Sequence, residues 1–256
     1  MTDGLFSLKG TTALLTGAAG GLGKRFAQVL AGAGAKVALA GRSEGPLQAL
    51  AEDLHTSGYE VVVTPLDVTD AAAIERGLDA AEKALGPVTL LINNSGVAAA
   101  GMASEILEAE WDRVLDTNLK GAWLCSSAFA RRRIAAQEPG VIVNIASILG
   151  LRAAGGVAAY GASKAALVQL TQNMAFELAR HRIRVNALAP GYISTDINRD
   201  FLETPAGQAL VKRVPQRRLG DPADLDGPLL LLASDASRFM TGAVIPVDGG
   251  HLVSTL

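Results

Sequence analysis

The sequence predicts an α/β protein with one doubly wound parallel sheet of about seven strands, flanked by helices. Three observations support this fold class. Short apolar runs alternate with helix-like segments along the 256 residues. The apolar runs show no polar alternation, which is typical of parallel strands covered on both faces. No linker, repeat or low-complexity segment divides the chain, so we expect a single domain over residues 1–256.

The strands are recognised as apolar and β-branched runs bounded by turn residues. In order they cover residues 11–16, 36–40, 61–65, 88–92, 141–145, 183–188 and 243–247. The helices are recognised by apolar positions at helical spacing between those runs. They cover residues 22–33, 46–57, 71–85, 111–136, 158–180 and 222–233. Residues 192–218 follow neither pattern and contain Pro205 and Pro215, which indicates a flap over the substrate.

Composition excludes several classes of function. The net charge is −2, which argues against a nucleic-acid partner. A single cysteine, Cys125, excludes an intrachain disulfide and a cysteine-based zinc site. His55, His181 and His251 form no ligand cluster in the sequence, so no metal is expected. No signal peptide and no apolar run of about 18 residues is visible, so we expect a cytoplasmic protein without a membrane partner.

A glycine-rich segment joins the first strand to the first helix. It runs from Thr16 to Gly23 with the spacing Gly-x-x-x-Gly-x-Gly. Glycines let backbone approach a pyrophosphate, and the helix N-terminus offers amide donors and the positive end of its dipole. A purely structural turn is the alternative, but the position within a β-α-β unit favours nucleotide binding. The expected contacts are Gly17, Ala19, Gly20, Gly21, Leu22 and Gly23.

Three residues form a candidate proton-transfer group. Tyr160 and Lys164 are four residues apart, so on a helix they lie on one face. A lysine ammonium beside a phenol favours the phenolate, and we expect it to lower the pKa of Tyr160. Such a tyrosine gives or takes a proton near neutral pH. Ser147, which follows the fifth strand, is placed to hold the oxygen that is protonated.

These motifs, taken together, resemble the short-chain dehydrogenase/reductase family. Between Leu8 and Gly250 the chain carries, in order, the glycine-rich segment, Asn93-Asn94-Ser95-Gly96, Asn118, Ser147, Tyr160, Lys164, Pro190-Gly191 and Val247-Asp248-Gly249-Gly250. The resemblance implies a Rossmann-type, NAD(P)-binding domain. It also implies an oxidoreductase that interconverts a secondary alcohol and a ketone by hydride transfer. Family members are usually homotetramers joined by the two long helices and the last strand.

The resemblance assigns roles to individual residues. Tyr160 would be the general acid for reduction and the general base for oxidation, and Ser147 would position the substrate oxygen. Lys164 would lower the pKa of Tyr160 and bind the nicotinamide ribose. Asn118 would hold a water in a relay to Lys164. The further cofactor contacts it implies are Asp67, Val68, Asn94, Ser95, Gly96, Pro190, Gly191, Ile193 and Thr195, where Ser95 replaces the alanine usual in the family.

The end of the second strand bears on the choice of cofactor. A carboxylate there would hydrogen-bond the ribose diol of NAD and repel a 2′-phosphate. This chain has Gly41, Arg42 and Ser43 instead. A guanidinium suits a phosphate through bidentate hydrogen bonds, so NADP(H) is favoured. NAD(H) remains open as an alternative, because Arg42 could instead stack on the adenine, and Gly20 stands where NADP-preferring relatives often have a basic residue.

The substrate is less well defined by the sequence. Residues 5–10, 40–42 and 189–192 are similar to sugar-acid oxidoreductases of the gluconate 5-dehydrogenase type. Arg152, five residues after Ser147, could clamp a carboxylate in the pocket. Surface exposure is the alternative for this arginine. The expected substrate contacts, with a small-molecule alcohol or ketone as partner, are Ser147, Leu149, Arg152, Tyr160 and Tyr192.

Two other functions stay open at this point. A 3-oxoacyl thioester reductase, acting on carrier-protein or coenzyme A substrates, shares the same four catalytic residues. It requires a basic surface patch, for which Arg217 and Arg218 are the candidates. A non-catalytic NADP-binding regulatory protein is the other alternative. Such proteins often lose the tyrosine or the lysine, and this chain keeps both.

Overall fold

Seven parallel strands form one sheet in the computed structural model, which describes residues 4–194 and 204–254. The strands are β1 Thr12–Thr16, β2 Lys36–Gly41, β3 Val61–Pro65, β4 Leu90–Asn93, β5 Gly140–Ile145, β6 Ile183–Pro190 and β7 Val244–Val247. Their order across the sheet is β3-β2-β1-β4-β5-β6-β7, with every pairing parallel. The predicted fold class and number of strands are confirmed.

Helices cover both faces of this sheet. They are α1 Gly21–Gly32, α2 Glu44–Thr56, α3 Ala71–Leu85, α4 Glu108–Leu115, α5 Gly121–Ala136, α6 Ala158–Leu178, α7 Pro205–Arg213 and α8 Asp226–Ala233. The helix predicted over 111–136 begins earlier and contains a π-helical turn, Asp116–Lys120, between α4 and α5. Helix α7 lies in the region predicted to lack regular structure, and residues 195–203 of the predicted flap lie outside the described part of the chain.

The sheet separates two apolar layers. Phe26 of α1 and Leu229 of α8 belong to one layer, while Phe129 of α5 belongs to the other. Successive side chains of a strand point to opposite faces, so Leu14 of β1 packs in the second layer and its neighbour Leu15 in the first. Because both faces are covered, every residue of β1 is buried. This explains why the strands lack polar alternation in the sequence.

A buried chain of polar side chains lies at the centre of the sheet. The Nδ2 atom of Asn93 donates to Asn144 Oδ1 at 2.8 Å and to Ser126 Oγ at 2.8 Å. Asn144 Nδ2 in turn donates to Thr171 Oγ1 at 2.9 Å. These bonds join β4 and β5 to α5 and α6. Since an unpaired buried amide is destabilising, the bonds fix the relative placement of the elements that carry the site.

The strand order reverses between β1 and β4, and this reversal positions the site. The crossover from β3 to β4 carries the chain to the other side of β1, so that β1 pairs with both β2 and β4. A crevice opens outside the carboxyl ends of the strands at such a switch point, where ligands of α/β sheets bind. Among the described residues, no helix is long and apolar enough to cross a membrane.

Candidate active site

The glycine-rich segment forms an open loop between β1 and the N-terminus of α1. Gly17 has a φ of +64°, which favours glycine. A Cβ on Gly23 would lie 2.1 Å from the carbonyl oxygen of Gly17, so no side chain fits there. Gly20 precedes α1 and offers no capping side chain, while a Cβ at Gly20 would meet nothing within 4 Å. The first turn of α1 therefore has no side-chain cap and has open space beside Gly20, which suits a pyrophosphate.

The loop is held against the end of β4 by Thr16, a residue that the sequence did not single out. Its Oγ1 accepts hydrogen bonds from the backbone N–H groups of Asn94 and Ser95, each at 3.0 Å. The Asn94 side chain donates to the carbonyl oxygen of Gly17 at 3.0 Å. A Cβ on Gly17 would lie 3.0 Å from Cα of Ser95. The predicted Asn94–Gly96 segment thus forms one wall of the loop.

The ends of β2 and β3 carry the residues predicted to meet the adenosine. Arg42 and Ser43 are exposed immediately after β2, and the Ser43 side chain makes no capping bond to α2. Asp67 Oδ1 accepts from the backbone and hydroxyl of Thr69 at 2.9 and 2.8 Å. Burial opposes ionisation of Asp67, but these bonds and the Arg42 charge hold its pKa below the usual value. Val68 is buried against Gly121, where a Cβ would lie 2.8 Å from Val68 Cγ2.

Tyr160 and Lys164 lie on α6, as their spacing predicts. The Nζ atom of Lys164 is 5.7 Å from the centroid of the Tyr160 ring. Lys164 is buried and donates a hydrogen bond of 2.7 Å to the carbonyl oxygen of Ile145, the last residue of β5. Burial lowers the pKa of Lys164 to about 8, because a desolvated ammonium is disfavoured.

The predicted lowering of the Tyr160 pKa is wrong for the protein on its own. Burial raises the pKa of Tyr160 and outweighs the opposing effect of the Ser147 hydroxyl, which stabilises the phenolate. The physical reason is that desolvation disfavours the phenolate, while the Lys164 ammonium is committed to the Ile145 carbonyl. Ser147 is buried after β5, and its Oγ accepts from the backbone N–H of Leu149 at 3.1 Å.

Asn118 lies on the π-helical turn and hydrogen-bonds both the segment after β4, at Val97, and helix α6, at Ser163. Its Oδ1 accepts from the backbone N–H of Val97 at 2.8 Å, and its Nδ2 donates to Val97 O at 2.9 Å and to Ser163 Oγ at 3.0 Å. Ser163, not singled out by the sequence, donates to the Tyr160 carbonyl at 2.7 Å. Asn118 and Lys164 both approach Gly96, where a Cβ would lie 3.4 Å from Asn118 Oδ1 and 3.6 Å from Lys164 Nζ. Single-turn π bulges of this kind are frequent at functional sites.

The segment after β6 packs against the turn after β7. Gly191 donates from its N–H to Val247 O at 2.8 Å, and a Cβ on Gly191 would lie 2.7 Å from Cα of Asp248. Pro190 ends β6, and Ile193 is buried and pairs with Gly220. A cavity of about 190 Å³ lies here. It is lined by Tyr192, Ile193, Val214, Gln216, Arg218, Gly220, Asp224, Val247, Asp248 and Gly249. The predicted contact Thr195 lies outside the described residues.

Arg152 and Tyr192 meet at a third residue, His251, which the sequence did not single out for the site. The Tyr192 and His251 rings are 5.3 Å apart, centroid to centroid. Arg152 is half-buried and donates from Nη1 to the His251 carbonyl and, at 3.1 Å, to Ser254 Oγ. Plain surface exposure of Arg152 is therefore wrong. Leu149 is half-buried beside Ser147. Among the described residues, no group of three or more His, Cys, Asp or Glu side chains could hold a metal ion.

The structure has a glycine loop after β1, a Ser147–Tyr160–Lys164 group and a switch-point crevice at the carboxyl ends of the strands. Residues 11–206 match the family model described as short chain dehydrogenase. The chain belongs to the short-chain dehydrogenase family. As members of this family do, it acts as an oxidoreductase on CH–OH groups.

Relatives of this short-chain dehydrogenase cover almost its whole length. It is 38% identical to a gluconate 5-dehydrogenase of Gluconobacter oxydans over 98% of each chain, and 40% identical to a galactitol 2-dehydrogenase of Rhizobium johnstonii over 96% of each. It is 34% identical to a 3-oxoacyl-(acyl-carrier-protein) reductase of Escherichia coli over 95% of this chain and 98% of the other. A crystal structure of a gluconate 5-dehydrogenase from Burkholderia cenocepacia in complex with NADP and tartrate superposes with a TM-score of 0.95, at 33% identity over 100% of both chains.

Proposed function

We propose that the protein interconverts the secondary alcohol of a sugar acid such as gluconate with the corresponding ketone, using NADP(H). The observation that carries the reaction type is the meeting of Ser147, Tyr160 and Lys164 beside the open glycine loop. The relatives named for gluconate support the substrate class, and the neighbouring structure with NADP supports the cofactor.

The geometry of the crevice fits a dinucleotide. A Cβ at Gly23 would strike Gly17 O, whereas one at Gly20 would meet nothing within 4 Å, so the loop is tightly packed at Gly23 and open at Gly20, where phosphates are proposed to bind. Arg42 and Ser43 are exposed where a 2′-phosphate would lie, so NADP(H) is favoured over NAD(H). The remaining contacts proposed are Gly17, Ala19, Gly21, Leu22, Gly41, Asp67, Val68, Asn94, Ser95, Gly96, Pro190, Gly191, Ile193 and Thr195. When bound, the nicotinamide supplies or accepts the hydride.

Tyr160 is the proposed proton carrier. Its raised pKa keeps the phenol protonated at neutral pH, ready to donate to a substrate carbonyl oxygen during reduction. In the oxidative direction Tyr160 must start as the phenolate, and its oxygen then takes the alcohol proton. A nearby positive charge is needed to stabilise that phenolate. Ser147 supplies a hydroxyl that hydrogen-bonds the substrate oxygen. Each group lies at the carboxyl end of the sheet, where α/β proteins bind substrates.

Lys164 and Asn118 are proposed to connect Tyr160 with solvent. A lysine whose pKa is about 8 exchanges its proton readily near neutral pH. Asn118 fixes the loop at Val97 beside Lys164, so it positions the path along which a relay water would bind. Leu149, Arg152 and Tyr192 are the further proposed substrate contacts. Residues 1–256 are proposed to form one domain, in which residues 192–218 are the flap over the substrate.

Initial rates with a panel of substrates test this function. D-gluconate and galactitol are offered with NADP⁺ and, separately, with NAD⁺, and acetoacetyl-CoA is offered with NADPH. Oxidation of gluconate above background with NADP⁺ supports the proposal. Background rates with every sugar acid would contradict it. Turnover of galactitol alone would move the substrate to neutral polyols, and turnover of acetoacetyl-CoA alone would favour the thioester reductase.

The thioester reductase remains a second candidate because of the similarity to the Escherichia coli carrier-protein reductase. The predicted basic patch is less suited to an anionic partner, because both of its arginines bind neighbouring groups of this chain. Arg218 is bound to Asp224, and Arg217 donates to the backbone carbonyl of Lys212. A non-catalytic regulatory role is disfavoured because all four residues of the proposed catalytic group are present.

We also propose a cytoplasmic homotetramer. The edge strand β7 is only partly covered, and Phe176 on α6 is 87% exposed while Phe239 is fully exposed. Trp123 on α5 is 47% exposed. Exposed aromatic side chains on the long helices and near the last strand support the contacts expected of family tetramers. Cell fractionation tests the location, and sedimentation of the purified protein tests the assembly.

A further inference from the structure

His251 is a buried histidine at the edge of the substrate side of the site. It begins the turn His251–Val253, is only 6% exposed and lies against the Tyr192 ring. Its Nδ1 is buried and finds no hydrogen-bond partner within the described part of the chain. Buried polar atoms are nearly always paired, so this unpaired ring nitrogen requires an explanation. A ligand that enters beside the Tyr192 ring, which lines the cavity, would supply the missing partner.

Two guanidinium groups act electrostatically on this histidine. Burial lowers the pKa of His251, and the charges of Arg152 and Arg213 lower it further, while Asp248 opposes them. Burial likewise raises the pKa of Tyr192, and the same two arginines counter that rise. Arg152 also contacts the His251 carbonyl directly, while Arg213 acts on both rings through its charge. Arg213 ends α7 and is exposed, which leaves its charge free to face an entering anion.

Asp248, the acidic residue near His251, already accepts two backbone hydrogen bonds. Asp248 Oδ1 accepts from the backbone N–H of Gly250 at 2.9 Å, and its Oδ2 accepts from that of Leu252 at 2.7 Å. Asp248 thus shapes the turn that carries His251. Both of its oxygens are used in this way, and within the described residues it forms no ion pair with either arginine. Arg152 and Arg213 supply the positive charge here, and the neutral His251 ring supplies a hydrogen-bonding nitrogen, a combination that suits a carboxylate.

We propose that His251 donates a hydrogen bond from Nδ1 to the carboxylate of the substrate, in the field of Arg152 and Arg213. This inference rests on the proposed sugar-acid function and names the part of the site that would distinguish an acid from a neutral polyol. Tyr192 links this subsite to the cavity, since it contacts the His251 ring and also lines the cavity. Arg152 is a positioning residue as well, because it holds the His251 carbonyl.

Tartrate is a suitable probe because it is a dicarboxylate that needs no turnover. Its affinity for the NADP⁺-loaded protein is measured by calorimetry for wild type, His251→Phe, His251→Asn and Arg213→Gln. Loss of a hydrogen bond to a charged group weakens binding by about tenfold or more. We expect that loss in His251→Phe, partial recovery in His251→Asn, which keeps an N–H, and weakening by about threefold or more in Arg213→Gln. His181→Phe, remote from the pocket, is the matched control.

Steady-state rates give a second readout. In His251→Phe the ratio of kcat/KM for gluconate to that for galactitol should fall by about tenfold or more, mainly through KM for gluconate. If wild type oxidises no sugar acid, the proposed function fails, and tartrate binding still decides the subsite. Unchanged tartrate affinity in His251→Phe, at a wild-type melting temperature, would overturn the proposal. If that variant melts early, unchanged affinity in the exposed Arg213→Gln would overturn it instead.

Discussion

Lys164 donates a hydrogen bond of 2.7 Å from Nζ to the backbone carbonyl oxygen of Ile145. The contact joins the middle of α6 to the end of β5 and buries the ammonium beside Tyr160. Because a buried charge is costly to desolvate, the pKa of Lys164 falls from 10.5 to about 8. Proton chemistry and fold stability therefore depend on the same side chain.

The pH dependence of stability should report this buried lysine. Its pKa is lower in the folded protein than in the unfolded chain, so the charged form destabilises the fold below pH 8, and this effect disappears towards pH 10.5. The free energy of unfolding of wild type, relative to that of Lys164→Met, should rise across this interval by up to about 3 kcal/mol. Urea unfolding at several pH values measures it. A difference that stays constant over the interval would show that Lys164 is not buried as described.

Gly23 and Gly20 provide a matched pair for the glycine loop. Gly23→Ala should lower the melting temperature and abolish binding of NADPH, because the new Cβ would lie 2.1 Å from Gly17 O. Gly20→Ala places its Cβ in open space and should keep the wild-type melting temperature without cofactor. Thermal unfolding and fluorescence titration measure both effects. Equal tolerance of the two variants would contradict the described path of the loop.

Arg42 should discriminate between the two nicotinamide cofactors. Removing its guanidinium in Arg42→Ala should weaken NADPH binding by about tenfold or more and leave NADH binding nearly unchanged. Titration of the purified protein with each reduced cofactor measures this by fluorescence. Arg131→Ala, which removes an exposed arginine paired with Glu75, is the control. Tighter binding of NADH than of NADPH by wild type would overturn the cofactor assignment.

Substitution of Phe239 should change the sedimentation of the proposed tetramer. The Phe239 side chain is fully exposed in the single chain, five residues before the edge strand β7 begins at Val244. If a subunit interface covers it, Phe239→Asp should shift the protein towards smaller species by burying a charge there. Analytical ultracentrifugation measures the change, with Lys24→Asp on α1 as the control. Unchanged sedimentation of Phe239→Asp would remove this residue from the interface.

Local features of the fold were predictable from the sequence because they depend on neighbouring residues. The seven strands, and the placement of Tyr160 and Lys164 on one helix, follow from apolar runs and helical periodicity. Helix α7 is not predicted, because residues 192–218 show no clear apolar periodicity; Pro205 occupies its first turn, where proline is well tolerated.

Features that depend on distant parts of the chain could not be predicted. The sense of the Tyr160 pKa shift was wrong because it depends on burial and on the bond between Lys164 and Ile145. Thr16 and Ser163 have no sequence signal beyond being polar, and their roles appear only when β4 and the π-helical turn are placed beside them. His251 joins the site because Arg152, almost a hundred residues earlier, holds its carbonyl.

Tyr160 is proposed to carry the proton in an NADP(H)-dependent oxidation. The most direct test compares D-gluconate oxidation by wild type and Tyr160→Phe, with NADPH affinity measured on the same preparations. We expect Tyr160→Phe to lose turnover by at least about a hundredfold and to bind NADPH with nearly wild-type affinity. Retained turnover with intact cofactor binding would contradict the assignment of Tyr160.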